Sequence, residues 1–146
     1  MKNLLNTLTF AFLMFTSLSS FAKPGNPFKN ATTTTLIDSY IQATSLGDTK
    51  YSEYLFAEDF KHIQSSNKKT KQYNKKQILT FLKKQEGYIM NCEASHKIIE
   101  QNSSYSIAKV KMVFPNFTRI DYVTLSNQDD AWVITQVATS YENSKL

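Results

Sequence analysis

Along this chain the spacing of apolar residues changes once, near Tyr88. Before it they recur at helical intervals; after it they alternate with polar residues. The clearest stretch is Phe117–Tyr141, where two runs rich in β-branched and aromatic residues flank Asn127-Gln128-Asp129-Asp130. This pattern predicts an antiparallel hairpin. Upstream, Tyr105–Phe114 places Ala108, Val110, Met112 and Phe114 on one face, with Lys109 and Lys111 on the other. Asn91–Gln101 does the same with Cys92, Ala94, His96 and Ile98. On the last strand, Trp132, Ile134 and Ala138 are expected to share a core face.

The first half reads as helices around a shorter hairpin. Thr35, with Asp38 three residues on, resembles a capping box and opens a helix over Leu36–Leu46. Its face carries Leu36, Ile37, Tyr40, Ile41 and Thr44, and Gly47 supplies the left-handed stop. Asp48 and Thr49 cap a shorter helix with Tyr51, Tyr54 and Leu55 on one side. Phe60–Ser65 alternates as a strand, with Phe60, His62 and Gln64 together, and Thr70–Tyr73 returns as a brief second strand. Asn74 caps a third helix with Gln77 at the third position; Ile78, Phe81 and Leu82 form its stripe and Gly87 ends it. Helices segregated ahead of a run of strands predict an α+β domain. We expect a curved antiparallel sheet with the three helices packed on its concave face, enclosing a conical cavity.

The N-terminus has targeting character. Lys2 precedes an apolar run, Leu8–Leu18, and Ser20-Phe21-Ala22 fits a small-residue cleavage site. Residues 1–22 are therefore expected to be a signal peptide, and 23–34, with Pro24, Gly25 and Pro27, an extended and mobile leader. The folded domain is expected over 35–142, followed by a short tail at 143–146. The expected location is exported, periplasmic or secreted, with no membrane span after cleavage. Of the net charge of +5, most of the excess gathers at Lys68, Lys69, Lys71, Lys75 and Lys76. Those lysines lack interleaved Arg and stacking aromatics apart from Tyr73, which argues against a nucleic-acid surface. Cys92 is the single cysteine, so the fold relies on its core without disulfides.

Three segments resemble the NTF2-like superfamily, the cone-shaped fold shared with ketosteroid isomerases and SnoaL-like cyclases. They are Tyr40-Ile41-Gln42-Ala43-Thr44-Ser45-Leu46-Gly47-Asp48, Leu55-Phe56-Ala57-Glu58-Asp59-Phe60, and Asp121-Tyr122-Val123-Thr124-Leu125 followed by Asp130-Ala131-Trp132-Val133-Ile134. The nearer resemblance is to the exported bacterial branch known as putative lumazine-binding. It implies the cone and a homodimer formed through the outer sheet face; separately, no cofactor is expected.

Asp121 is the first chemical candidate. It shares an inward face with Phe117, Arg119, Val123 and Leu125. A buried carboxylate is either paired or shifted towards neutrality, so Asp121 is either a structural partner of Arg119 or a general base. His62 is the second catalytic candidate; Tyr40, His62, His96, Arg119 and Asp121 form the expected ligand-binding set. Cys92 and His96 lie about 13 Å apart along a strand, too far to pair, and no spacing suggests a metal site. Three functions stay open: a module binding a small, partly apolar ligand, an isomerase, dehydratase or cyclase using Asp121 or His62, and a non-catalytic interaction domain.

Overall fold

The computed structural model describes residues 25–66 and 69–143, so the signal-peptide expectation for 1–22 and the tail from 144 lie outside the described residues. The elements are α1 (Thr33–Ser45), α2 (Ser52–Leu55), β1 (Phe56–Ser66), β2 (Lys69–Asn74), α3 (Lys75–Lys84), β3 (Glu93–Gln101), β4 (Tyr105–Val113), β5 (Phe117–Gln128) and β6 (Ala131–Asn143). They form a mixed α+β fold on one curved, unclosed six-stranded sheet of order β2-β1-β6-β5-β4-β3. Pairing is antiparallel except between β1 and β6, which run parallel. That parallel contact departs from the all-antiparallel expectation. It arises because β6 returns along β5 and meets a strand laid down before α3.

The β4 alternation is the cleanest link from sequence to core. Ser106, Ala108, Val110 and Met112 are each fully buried, and their neighbours are not. Ala108, Val110 and Met112 meet Leu36, Ile37 and Tyr40 of α1 and Val123 and Leu125 of β5 in one cluster. Each large aliphatic side chain buried this way contributes roughly 1.5–3 kcal/mol. Trp132, 8% exposed, belongs to this packing.

The β5–β6 turn is tighter than expected. Only Asp129 and Asp130 form it, both with positive φ (51° and 62°), the backbone a two-residue hairpin requires. Asn127 and Gln128 are still paired in the strand. Further along, the β5–β6 register slips between Thr124 and Leu125, where β6 carries one extra residue. Such a bulge reverses which face later side chains occupy. Trp132 and Ile134 are buried before it, Val137 and Thr139 after it. Ala138 is therefore not on the Trp132 face, contrary to the simple alternation.

Two other expectations shift. The cap of α1 is Thr32, whose hydroxyl accepts from the Thr35 N–H at 3.1 Å, so the helix begins nearly a turn before the predicted Thr35 cap. Threonine hydroxyls occupy every position from 32 to 35, which leaves the choice to tertiary contacts. Nor is the segment just before α1 a mobile leader. Phe28 is 4% exposed and meets Tyr51 edge-on at 6.3 Å. Lys29 bridges Ala131, and the Asn30 N–H donates to the Asp130 carbonyl at 2.8 Å. An aromatic ring delivered to an open hairpin end outweighs the entropy of ordering the chain.

The remaining caps position α2 and α3. Ser52 Oγ donates to the Thr49 carbonyl at 2.8 Å, and no side chain caps α2, so Asp48 and Thr49 do not cap it as expected. Asn74 and Gln77 form the expected capping box of α3. Of the α3 stripe only Leu82 is buried; Ile78 is partly so and Phe81 is 49% exposed. This amphipathic face looks onto open space rather than filled core. Gly47 ends the α1 corner at φ 69°, and a Cβ there would lie 2.6 Å from the Tyr88 backbone nitrogen.

Two stability outcomes follow. Gly47→Ala should lower the unfolding free energy by about 2 kcal/mol or more, read by urea denaturation, because backbone and not a flexible side chain occupies the Cβ position. Phe28→Ala should cost about 3 kcal/mol; a change near zero would mean that the pre-α1 segment is not docked in solution.

Candidate functional site

Asp121 lies in β5 between β4 and β6, with Val110 and Thr139 as its register partners. Its side chain is fully buried. Oδ1 accepts from Arg119 Nε at 3.0 Å and from Thr139 Oγ1 at 2.5 Å. Oδ2 accepts from Arg119 Nη2 at 2.9 Å and from the Tyr40 hydroxyl at 2.8 Å. These four donors match the roughly four lone-pair sites a carboxylate offers. Asp121 has no acceptor capacity left for a substrate proton.

The partners are held as donors. Burial first, and then the Asp121 charge, push the Tyr40 phenol well above its ordinary range, so its proton stays on oxygen. Burial alone would lower the Arg119 pKa, but the charge of Asp121 and its hydrogen bond offset this and the pKa is raised. The strand period puts Arg119 and Asp121 on one face, which lets the guanidinium lie side-on to the carboxylate.

Thr139 carries the arrangement outward to His62. His62 Nε2 is 2.8 Å from Thr139 Oγ1. A threonine hydroxyl has one hydrogen, and here Asp121, acceptor-only in its ion pair, takes it. Nε2 must therefore donate to Thr139. In the neutral ring the proton sits on Nε2 and the lone pair on Nδ1. Burial, followed by the Arg119 charge, lowers the His62 pKa below 6.5, with Asp121 opposing, so the neutral form prevails at neutral pH.

These groups border a cavity of about 550 Å³ between α1, α3 and the sheet. Phe56, Phe60, Phe81, Leu82, Ile78 and Val137 make most of its wall. Tyr40, His62 and Arg119 form a polar pole. At the rim Gln64 Nε2 donates to the Tyr141 hydroxyl at 2.6 Å, and Tyr73 stands 6.0 Å from the His62 ring, centroid to centroid. Exposed Lys76 also reaches this rim.

The structure thus brings Tyr40, His62, Arg119 and Asp121 together, with Asp121 behind the wall rather than in it. His96 is elsewhere: its Nδ1 faces Asp38 Oδ1 of α1 at 3.4 Å, and it does not line the cavity. The same strand face that carries it is covered by the outer end of α1. Cys92 is partly buried, and desolvation raises its thiol pKa, which disfavours a thiolate. Among the described residues no cluster of His, Cys, Asp or Glu could hold a metal ion, and no helix is long and apolar enough to cross a membrane. Thr139 was not among the predicted site residues. The bulge that turns it inward leaves no mark in the residue alternation.

The fold has many solved counterparts. An NTF2-like protein of unknown function from Silicibacter pomeroyi matches at TM-score 0.61 and 13% identity, covering 75% of this chain and 91% of that one. One from Shewanella baltica matches at 0.62 and 11%, covering 76% and 91%. A cystatin-like fold protein from Burkholderia xenovorans matches at 0.61 and 11%, covering 82% and 95%. At these identities the likeness establishes the fold. No curated protein matches. The family described as putative lumazine-binding matches residues 29–141, from the Lys29 bridge on the hairpin end to Tyr141 at the cavity rim. On that match the chain belongs to the putative lumazine-binding family and carries it on an NTF2-like fold.

Proposed function

We propose that this protein binds a small, partly apolar ligand in the cavity beneath α1 and α3. The observation that carries this reading is an aromatic-walled cavity of about 550 Å³ with one polar pole, the usual form of a small-molecule site. The ring of Phe81, 49% exposed, faces the cavity from α3 outside the core cluster, and a ligand would cover it. The family's description, putative lumazine-binding, also names a small-molecule ligand.

Asp121 is a structural residue in this reading. Its donors come from α1, β5 and β6, and a base must have room for an incoming proton. The enzyme alternative rests on His62, whose Nδ1 lone pair favours it, because Asp121 is fully engaged by its four donors. The finer architecture is part of the proposal: a cone with three helices over the concave sheet face, supported by the packing of α1 on β3, β4 and β6 and of α3 on β1 and β2. So are export, for which the N-terminal apolar run speaks, and pairing of two chains through the outer sheet face, where Tyr122 is 42% exposed.

N-phenyl-1-naphthylamine, an apolar fluorescent probe, should bind the folded protein with a blue-shifted, saturable signal. Ile78→Trp, which extends a ring over the cavity from its rim, should weaken that binding about tenfold. Saturable binding that Ile78→Trp leaves unaltered would place the probe elsewhere and count against the cavity. Asp121→Asn should lower the unfolding free energy by about 3 kcal/mol, because it leaves the buried Arg119 charge unpaired. Unchanged stability in denaturant titration would remove the structural role assigned to Asp121.

A further inference from the structure

The polar pole constrains what the ligand can be, given the cavity-binding reading on which this inference rests. The Arg119 charge is already matched by Asp121 through two contacts, at 3.0 and 2.9 Å. Arg119 Nη2 also reaches the Tyr40 oxygen at 3.4 Å, but Nη1 has no hydrogen-bond partner among the described residues. Every fully buried side-chain nitrogen and oxygen of the described residues that are not surface-exposed has a partner. The unpartnered Nη1 is therefore accessible, on a side chain only 14% exposed that lines the cavity. The same reasoning applies to His62 Nδ1, since only Nε2 is engaged. The pole thus offers the Nη1 amino group of Arg119 as donor and one lone pair from His62, with the Arg119 charge matched by Asp121.

We infer that the cavity takes a neutral, flat ligand carrying a hydrogen-bond donor beside an acceptor oxygen, as on a lactam or hydroxy-carbonyl edge, and that it selects against carboxylates. The acceptor oxygen meets Arg119 Nη1 and the donor meets His62 Nδ1. A carboxylate would satisfy Arg119 but set its second oxygen against the lone pair of Nδ1, and it would bring an unmatched charge into an apolar chamber. Lys76 offers little compensation, being exposed and screened by solvent.

Protonating His62 reverses the preference, because Nδ1 then becomes a donor and the pole gains a positive charge. The groups that face the ring are Arg119 and Asp121 from β5, Thr139 and Tyr141 from β6, Tyr40 from α1, Tyr73 from β2 and Lys76 at the α3 rim. His62 is the one imidazole at this pole, and its ring titration is followed directly. A depressed His62 pKa means that the neutral, lactam-accepting state holds above the midpoint and is lost as pH falls through it.

The test uses three probes of similar size on the folded chain: 2-quinolone with its lactam edge, 2-naphthoate, and naphthalene. Affinity is measured by fluorescence on either side of the His62 midpoint, which is read from the Cε1–H NMR shift. Above the midpoint 2-quinolone should bind about tenfold tighter than below it, the scale of one hydrogen bond made or lost. The naphthoate should move the opposite way and naphthalene should not move. In His62→Phe the pH response of 2-quinolone should vanish. Naphthalene binding with no preference for 2-quinolone, or with naphthoate preferred above the midpoint, would overturn this inference and leave the cavity reading standing. Failure of all three probes to bind would overturn both.

Discussion

The structure depends on one buried carboxylate. Asp121 is fully enclosed, and an ionised group there is tolerated only where its partners replace water completely. Tyr40 brings α1 to it, Arg119 comes from the same strand and Thr139 from the next. Each bond therefore fixes an element as well as a charge. An ion pair of this kind adds little stability over a well-packed apolar alternative, but losing one member strands the other. Its value is specificity: α1 can sit in only one place along the sheet and still satisfy Asp121.

That constraint shapes the space beside it. With α1 packed over β3, β4 and β6 and α3 over β1 and β2, a void is left between the two helices. The void is walled by rings and closed at one end by the groups that serve Asp121. The hydrogen-bond order runs one way, from His62 through Thr139 to the carboxylate. A histidine that would otherwise be free to choose its tautomer is set by a group it does not touch. The structural ion pair and the ligand-facing pole are thus one network seen from two sides.

Much of the fold was legible because periodicity and caps are local. The alternation of β4, the capping box at Asn74 and the stop at Gly47 all stand where the residues place them. Arg119 and Asp121 could be paired from their spacing alone. What stayed hidden depends on contacts distant in sequence. The β6 bulge turned Thr139 inward and Ala138 outward. The docking of Phe28 depends on a hairpin end about a hundred residues later. His96 shares the inward pattern of its strand, yet the end of the sheet it occupies is covered by α1 rather than opened to the cavity.

The direction of the hydrogen bonds is the claim on which the account of the cavity turns. It can be read from the two ring nitrogens of His62 by long-range ¹⁵N–¹H correlation above its titration midpoint. The account predicts the proton on Nε2 and a pyridine-like Nδ1. A neutral ring protonated at Nδ1 would mean that Thr139 donates to His62 instead, leaving Asp121 short of a donor and contradicting the network described above.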